Sequence, residues 1–578
     1  MQIRWKWFHR SQSPFAYALT SHRARLVCAI EAGAAVAVHV YTADRYVSQF
    51  AKECLCQEIR KNGSDENWDW YVIDVEVPTR RLLYQFSITD RQEPDGLPVF
   101  LGGQGADTDR SLAGYFHLPY LCSRDLYQVP EWVRQTTVYQ IFPDRFYRAG
   151  SKEHVSESEW YTTPTASLRL GGNLAGILEK LPFLQELGVG LIYLTPIFLA
   201  DSNHKYNTTD YLQVDPDFGT FHDVARLVEE AHQRGMRVML DAVFNHAGYD
   251  FAPFQDVLHK GKDSAYWDWF FIHGDTVSIE PVNYETFAND VRSMPKLNVA
   301  HPDVEAYLLQ VARYWIEETG IDGWRLDVAN EVDHVFWRKF RETVKSCHPQ
   351  CLIIGEVWHD SLPWLQGDQF DGVMNYLFRE NVLDYFIRET TDEKTYAARM
   401  TNLLYSYPRQ ADLCMFNLLG SHDTERVMTL ANHQEDKVAR ALIAQFTFPG
   451  MPMIYYGDEV GMEGGADPDC RRGMEWRKER QNQNILNLIK RLARLKREES
   501  ALASDYLNFL RVEPGILQYE RVSEDSRSRV LITFNHRPST VSLPISGEVL
   551  LAYPEQAYDL SSQMLAPDGV VITRVDTK

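Results

Sequence analysis

The feature that most constrains this chain is an alternation of short apolar runs with amphipathic stretches between about residues 135 and 460. The apolar runs fall at 138–142, 191–194, 238–241, 323–327, 352–356, 372–376, 415–418 and 452–456. Helical periodicity fills most of the gaps, for example over 221–235, 302–320 and 435–446. Strands alternating with helices predict a parallel sheet with crossover helices, and eight of them predict an α/β fold of the (β/α)8 TIM-barrel type. The segment 247–300, rich in aromatic and turn residues, is too long for an ordinary loop after the third strand and predicts an inserted subdomain.

The flanks read differently. Residues 1 to about 120 hold short β-rich runs (26–30, 36–41, 70–77, 82–88) separated by Gly, Pro, Asn and Asp clusters, which predicts an N-terminal β-sandwich. After a long helix at 484–498, strand-like runs such as 529–534 return and predict a C-terminal β-sandwich. The division expected is therefore 1–122, 123–500 with 247–300 inserted, and 501–578.

With 59 Lys+Arg against 80 Asp+Glu, the formal charge is −21, which argues against a nucleic-acid partner. The first ten residues mix charges and aromatics where a secretory signal would be apolar, and no stretch reaches the ~18 apolar residues of a membrane span. The eight cysteines are scattered, and neither Cys54 with Cys56 nor Cys347 with Cys351 has a second pair at zinc-like spacing. The expectation is a cytoplasmic protein with reduced thiols and no membrane partner.

In such a barrel, functional groups gather where strands end in loops on one concave face. Asp241 with Asn245 and His246, Arg325 with Asp327, Glu356, and His422 with Asp423 all fall at predicted strand ends. Taken singly, each has a plain structural reading as a cap, a turn residue or an ion pair. Taken together on one barrel mouth, they resemble a glycosidase site. Retaining hydrolysis needs a carboxylate nucleophile and a protonated carboxyl about 5 to 5.5 Å apart. Neighbouring strands about 4.8 Å apart suit Asp327 and Glu356 to those roles. Arg325, two residues before Asp327, shares its strand face and is expected to keep Asp327 ionised, whereas burial near Trp358 or the other carboxylates would keep Glu356 protonated. Asp423, His246 and His422 would hold the sugar.

These residues resemble motifs of the α-amylase superfamily, glycoside hydrolase family 13. The matching segments are Asp241-Ala242-Val243-Phe244-Asn245-His246, Gly323-Trp324-Arg325-Leu326-Asp327, Gly355-Glu356-Val357-Trp358 and Ser421-His422-Asp423, in the family's order. Met294-Pro295-Lys296-Leu297-Asn298, Val328-Ala329-Asn330-Glu331 and the stretch from Gly461 to Arg472 are similar to motifs of the cyclomaltodextrinase, neopullulanase and maltogenic amylase group. The resemblance implies Asp327 as nucleophile, Glu356 as acid/base and Asp423 as transition-state stabiliser. It implies substrate contacts at Tyr206, His246, Arg325, His422, Asp467 and Arg471. It also implies α-1,4 and some α-1,6 cleavage of cyclomaltodextrins, pullulan or maltooligosaccharides, and a starch-binding type of N-terminal module.

Further expectations follow from the resemblance. Relatives bind calcium through an Asn/Asp-rich loop and a Gly-Gly-Asp turn, whereas this chain has Arg148-Ala149-Gly150-Ser151-Lys152-Glu153-His154 and Gly171-Gly172-Asn173, so no cofactor and no metal are expected. A homodimer is expected, with Tyr41 or Tyr46 as candidates for presentation to a partner's cleft. A mainly transglycosylating enzyme, with Glu331 influencing the partition, and a non-catalytic carbohydrate-binding protein are the alternatives.

Overall fold

In a computed structural model, which describes residues 4–575 except 94, 151–155, 290 and 545, eight parallel strands form the centre of the molecule. They are β1 (Val138–Ile141), β2 (Leu191–Leu194), β3 (Arg237–Ala242), β4 (Gly323–Leu326), β5 (Leu352–Gly355), β6 (Gly372–Val373), β7 (Phe416–Leu418) and β8 (Met451–Tyr455). Their order is β6-β5-β4-β3-β2-β1-β8-β7, and a parallel bridge from Met374 to Phe416 closes the ring.

Side-chain alternation decides what faces the lumen. Val138, Leu191, Tyr193, Met239, Leu352, Ile354 and Phe416 form one buried interior cluster, while Tyr139, Ile192, Val238, Trp324 and Ile353 join the cluster under the helices. Continuing each strand with period two carries Met239 to Asp241, Gly323 to Arg325 and Asp327, and Ile354 to Glu356. The functional residues thus extend the inward-facing rows past the apolar plug. Gly355, just before Glu356, admits no side chain, because a Cβ there would lie 2.5 Å from the Phe370 ring.

The helices begin and end on local signals. In α1 (Phe221–Gln233), the Asp223 carboxylate accepts from Thr220 N at 2.8 Å, and Val224, Leu227, Val228 and Ala231 form the buried stripe. α2 (Pro302–Thr319) starts on a proline and stops at Gly320, whose φ is 74°. The run 372–376, expected as one strand, is a two-residue strand followed by a helix, α3 (Tyr376–Val382). Asn375 is the reason, because its side chain accepts from Phe378 N and caps that helix. α4 (Glu393–Tyr405) lies at the surface facing both flanking modules.

The inserted segment holds the helix Ala252–Lys260, short 3-10 turns and isolated bridges; the bridge from His246 to Lys296 seats it on the loop after β3, and that from Phe270 to Leu297 ties the segment to itself. The N-terminal sandwich has a five-stranded sheet containing Arg23–Glu31 and Trp68–Glu76, and a six-stranded sheet containing Ala35–Ala43 and Leu82–Asp90. Their shared core includes Leu26, Cys28, Ile30, Val38, Tyr84 and Phe86. The C-terminal module has a five-stranded and a three-stranded antiparallel sheet.

All eight cysteines are free thiols. Among the described residues no helix is long and apolar enough to cross a membrane, and no group of three or more His, Cys, Asp or Glu side chains is placed to hold a metal. Tyr41 is half-buried with the Arg110 guanidinium 4.0 Å from its ring centroid, whereas Tyr46 is 75% exposed.

Candidate active site

Arg325 sits at the centre of the cleft floor and is fully buried. Its Nη1 donates to Asp327 Oδ1 at 2.7 Å and to Asp241 Oδ1 at 3.0 Å, and its Nη2 lies 2.9 Å from Glu356 Oε2. One guanidinium therefore meets three carboxyls from the ends of β3, β4 and β5. Asp241 also accepts from the hydroxyls of Tyr193 at 2.7 Å and Tyr206 at 3.0 Å. Glu356 accepts from Val328 N at 2.9 Å and from the Trp358 indole at 3.1 Å. Asp327 Oδ2 is buried with no hydrogen-bond partner among the described residues.

Burial is the largest influence on Asp327 and pushes its carboxyl well above the usual range; Arg325 opposes this, while the charges of Glu356 and Asp241 add to it. Burial likewise brings Asp241 up to about 6. Arg325 thus favours the ionised form of Asp327, as expected, and works against burial and the two neighbouring carboxyls. The guanidinium divides its charge among three carboxyls, and burial outweighs its share. Interacting groups of this kind titrate as a set, so a retained proton belongs to the cluster.

His422 follows β7. Its Nδ1 accepts from Gln140 Nε2 at 2.8 Å, and its Nε2 lies 2.7 Å from Tyr206 Oη and 3.2 Å from Asp423 Oδ2. Burial, aided by Arg471 and Arg325, holds its pKa well below the ordinary value, so the ring is neutral with its proton on Nε2. His246 differs from its expected part as a donor to the sugar. Its Nε2 donates to the carbonyl oxygen of Tyr206 at 3.1 Å, which leaves Nδ1 to accept from Asn245 Nδ2 at 3.2 Å. Burial brings its pKa down to about 3. It still lines the cleft, tilted against Phe287 with centroids 5.0 Å apart.

Arg471 ties the opposite wall together. It bonds Asp423 Oδ1 at 3.1 Å and Asp467 Oδ1 at 3.1 Å, and its Nε donates to His422 O at 2.8 Å. Asp423 is the most open of the three carboxylates singled out, with 31% of its side chain accessible. Burial among the cleft walls raises its carboxyl, with Arg471 opposing.

The resulting cavity, of about 420 Å³, is lined by Tyr206, His246, Asp327, Glu356, His422, Asp423, Asp467 and Arg471, together with His204, Phe287, Met294, Val328, Asn330 and Trp358. Arg325 lies beneath the lining. Trp358 is 47% exposed and stacked on Tyr376 with centroids 3.6 Å apart. Glu331 stands beside the cleft, its carboxylate 3.1 Å from Lys296 Nζ.

Sequence reasoning missed Gln140, Tyr193 and Phe287. Gln140 and Tyr193 lie on β1 and β2, where the order of inward-facing residues could have flagged them. Phe287 comes from the irregular insertion, which has no periodicity to read.

Carboxyls gathered at the C-terminal strand ends of a (β/α)8 barrel are an arrangement in which glycoside hydrolases act. Residues 140–499 match the alpha amylase catalytic domain and residues 1–122 the alpha amylase N-terminal ig-like domain, and the chain belongs to the alpha-amylase family. It is 43% identical over 545 residues to neopullulanase 2 of Thermoactinomyces vulgaris, covering 93% of this chain and 92% of that protein. It is 44% identical over 498 residues to the intracellular maltogenic amylase of Bacillus subtilis, covering 84% and 82%. A solved structure of a cyclomaltodextrinase superposes with a TM-score of 0.88 at 38% identity, covering 99% of this chain and 97% of that one.

Proposed function

We propose that this protein is a retaining α-glucan hydrolase, cleaving α-1,4 and some α-1,6 bonds of cyclomaltodextrins, pullulan and maltooligosaccharides through a covalent glycosyl-enzyme. The observation that carries this reading is the single guanidinium of Arg325 held between Asp327 and Glu356, at 2.7 and 2.9 Å. It ties both carboxyls to one locus at adjacent strand ends, as a pair about 5 to 5.5 Å apart requires.

The mechanism needs Asp327 ionised and a proton on Glu356 when substrate binds. Asp327, whose Oδ2 meets no hydrogen-bond partner among the described residues, attacks the anomeric carbon while Glu356 gives its proton to the departing glycosidic oxygen. The bond to that oxygen breaks and a glycosyl ester forms on Asp327. Glu356, now a carboxylate, takes a proton from water as the water attacks the same carbon and frees Asp327. Asp423, braced by Arg471, stabilises the positive charge that develops on the sugar. Tyr206, His246, His422, Asp467 and Arg471 form the walls that orient the ring, and Arg325 positions both carboxyls from below.

The names of the relatives, neopullulanase, maltogenic amylase and cyclomaltodextrinase, support these substrate classes. The word intracellular in the name of the Bacillus subtilis relative supports a cytoplasmic location. A homodimer is part of the same reading, with the exposed Tyr46 available to a partner. So is independence from calcium. Asn173 Oδ1 accepts from Gly176 N at 2.7 Å and Ala149 N at 3.3 Å, and Nδ2 donates to Ala149 O at 3.0 Å, so its amide is already spent on backbone. Ser151, Lys152, Glu153 and His154 of that loop lie outside the described residues.

The test is a product-resolved time course on cyclomaltodextrin, pullulan and soluble starch at equal mass. The expected result is opening of the cyclic substrate to maltose and glucose, with α-anomers released first. First release of β-anomers, or no turnover of any of the three, overturns the reading.

A further inference from the structure

The segment after β2 carries Tyr206 into the cleft. It leaves the short strand Phe198–Leu199 and returns through Asp210–Val214, which pairs with it antiparallel. Between these stems His204 and Tyr206 both line the cleft, while the Lys205 side chain turns the other way and is buried behind the loop.

Lys205 stands at φ 62°, in the left-handed region that a residue with a Cβ reaches only at a cost. Asn or Asp can ease that cost with a short polar side chain, and Lys cannot. The conformation is therefore imposed by what surrounds it.

The surroundings supply a clasp. Lys205 Nζ lies 2.8 Å from Asp215 Oδ2 and 3.6 Å from Asp217 Oδ2, and it donates to Ala200 O at 3.0 Å. The same Asp215 oxygen accepts from Ala200 N at 3.0 Å, so one buried ion pair joins the outgoing stem of the loop to the returning one. Pulling the pair apart would leave two charges buried alone, which makes the clasp stiff. Inside the loop, Lys205 N donates to Ser202 Oγ at 2.9 Å and Thr208 Oγ1 donates to Lys205 O at 3.1 Å.

The turn sets up a row of three rings. His204 and Tyr206 stack with centroids 5.9 Å apart, and Tyr206 stacks on His422 at 5.4 Å with an interplanar angle of 4°. Tyr206 Oη donates to Asp241 Oδ2 at 3.0 Å and accepts from His422 Nε2 at 2.7 Å, and the Tyr206 carbonyl accepts from His246 Nε2. Asp241 in turn shares the Arg325 guanidinium with Asp327 and Glu356. A shift of the turn would thus reach the carboxyl cluster through a single side chain.

We propose that Lys205 is a positioning residue for glycoside cleavage: its ammonium, clasped by Asp215 outside the cleft, holds the left-handed turn that fixes Tyr206 between His422 and Asp241. The reaction it serves rests on the α-glucan reading above, whereas the positioning is a property of the loop itself. Misplacing a positioning group by about 1 Å costs up to about a hundredfold in rate.

The test places Lys205→Gly, which suits a positive φ but removes the clasp, in a double-mutant cycle with Tyr206→Ala in the full-length protein. The readouts are kcat and KM on an activated aryl α-maltotrioside and a crystal structure of Lys205→Gly. The expected loss is about tenfold in kcat with an intact Tyr206 and less than about twofold in the Tyr206→Ala background, with Tyr206 Oη displaced from Asp241 in the crystal. A merely structural role would lower kcat by the same factor in both backgrounds. That equality, or full activity in Lys205→Gly, overturns the proposal. Thr208→Val, which keeps the ion pair and removes the bond to Lys205 O, runs the same cycle if Lys205→Gly does not fold, with an expected loss of about threefold confined to the Tyr206 background. Tyr206 displaced in the crystal while the wild type turns over no glucan would support the positioning and fault the catalytic reading alone; Tyr206 unmoved would overturn the positioning whatever the activity.

Discussion

The backbone N–H of Val328 donates to Glu356 Oε2 across 2.9 Å while Val328 itself is held at φ 46°. The left-handed region is costly for a β-branched residue, so strain is stored between the two carboxyls assigned to catalysis. Val328→Gly removes that cost, about 1 to 2 kcal/mol, but leaves the donor less firmly held. The variant is expected to unfold at the same or a higher temperature and to lose several-fold in kcat. A fall of several degrees in Tm would contradict the strain.

The three modules meet at Asp505, which lies 2.5 Å from Arg25 Nη1 of the N-terminal sandwich and 2.8 Å from Arg409 Nη2 of the barrel. Burial alone would raise this carboxyl, but Arg25 and Arg409 outweigh it and bring the pKa down from 3.8 to about 2. A folded-state pKa below the unfolded one gives stability that is present above about pH 4 and lost as the pH falls toward 2, on the order of 2 kcal/mol. Asp505→Asn should forfeit roughly that amount at pH 7 and flatten the dependence between pH 4 and 2 in urea unfolding. Wild-type steepness retained in the variant would assign the acid sensitivity elsewhere.

Nearby Asp412 has the opposite sign. Burial pushes its carboxyl well above the ordinary value, with Asp505 adding to the rise, so holding it ionised costs stability. Asp412→Asn is expected to be at least as stable as the wild type at pH 8, with the difference shrinking as the pH falls through the raised pKa. Calorimetry at several pH values checks this, and a less stable variant at pH 8 would refute it.

Burial brings His204 down to about 4 and His246 to about 3, and holds His422 well below its ordinary value. These rings stay neutral across the working range, so the acid limb of kcat/KM belongs to the carboxyl cluster. His246→Gln should lower kcat/KM and leave the midpoint of the acid limb in place; a shift of a full pH unit would return that limb to the imidazole.

Dialysis against a chelator should leave activity and Tm unchanged, given how Asn173 is committed to Gly176 and Ala149. Loss of activity that calcium restores would refute calcium independence.

The barrel was legible because its strands are apolar, short and regularly separated by amphipathic helices. The strand ends were legible because Asp241, Arg325, Asp327 and Glu356 break those apolar runs. Other features depend on tertiary partners with no local signature. The strands Leu55–Ile59 and Lys61–Ser64 each pair on one side only, so their polar sequences carry little strand signal. The bond from His246 to the Tyr206 carbonyl joins residues 40 positions apart, and the left-handed Val328 runs against its own preference. Asn375, read as strand, is a helix cap whose short polar side chain fits either setting until its neighbours are placed.

The most direct test of the central claim is to trap the enzyme with a fluorinated α-glucosyl fluoride that forms the glycosyl ester quickly and hydrolyses it slowly, then digest it and locate the adduct by mass spectrometry. The account predicts one glycosyl group on the peptide containing Asp327, absent from Asp327→Asn. A stoichiometric adduct on another carboxylate, or turnover of the reagent by the wild type with none accumulating and β-anomers released first, would contradict it.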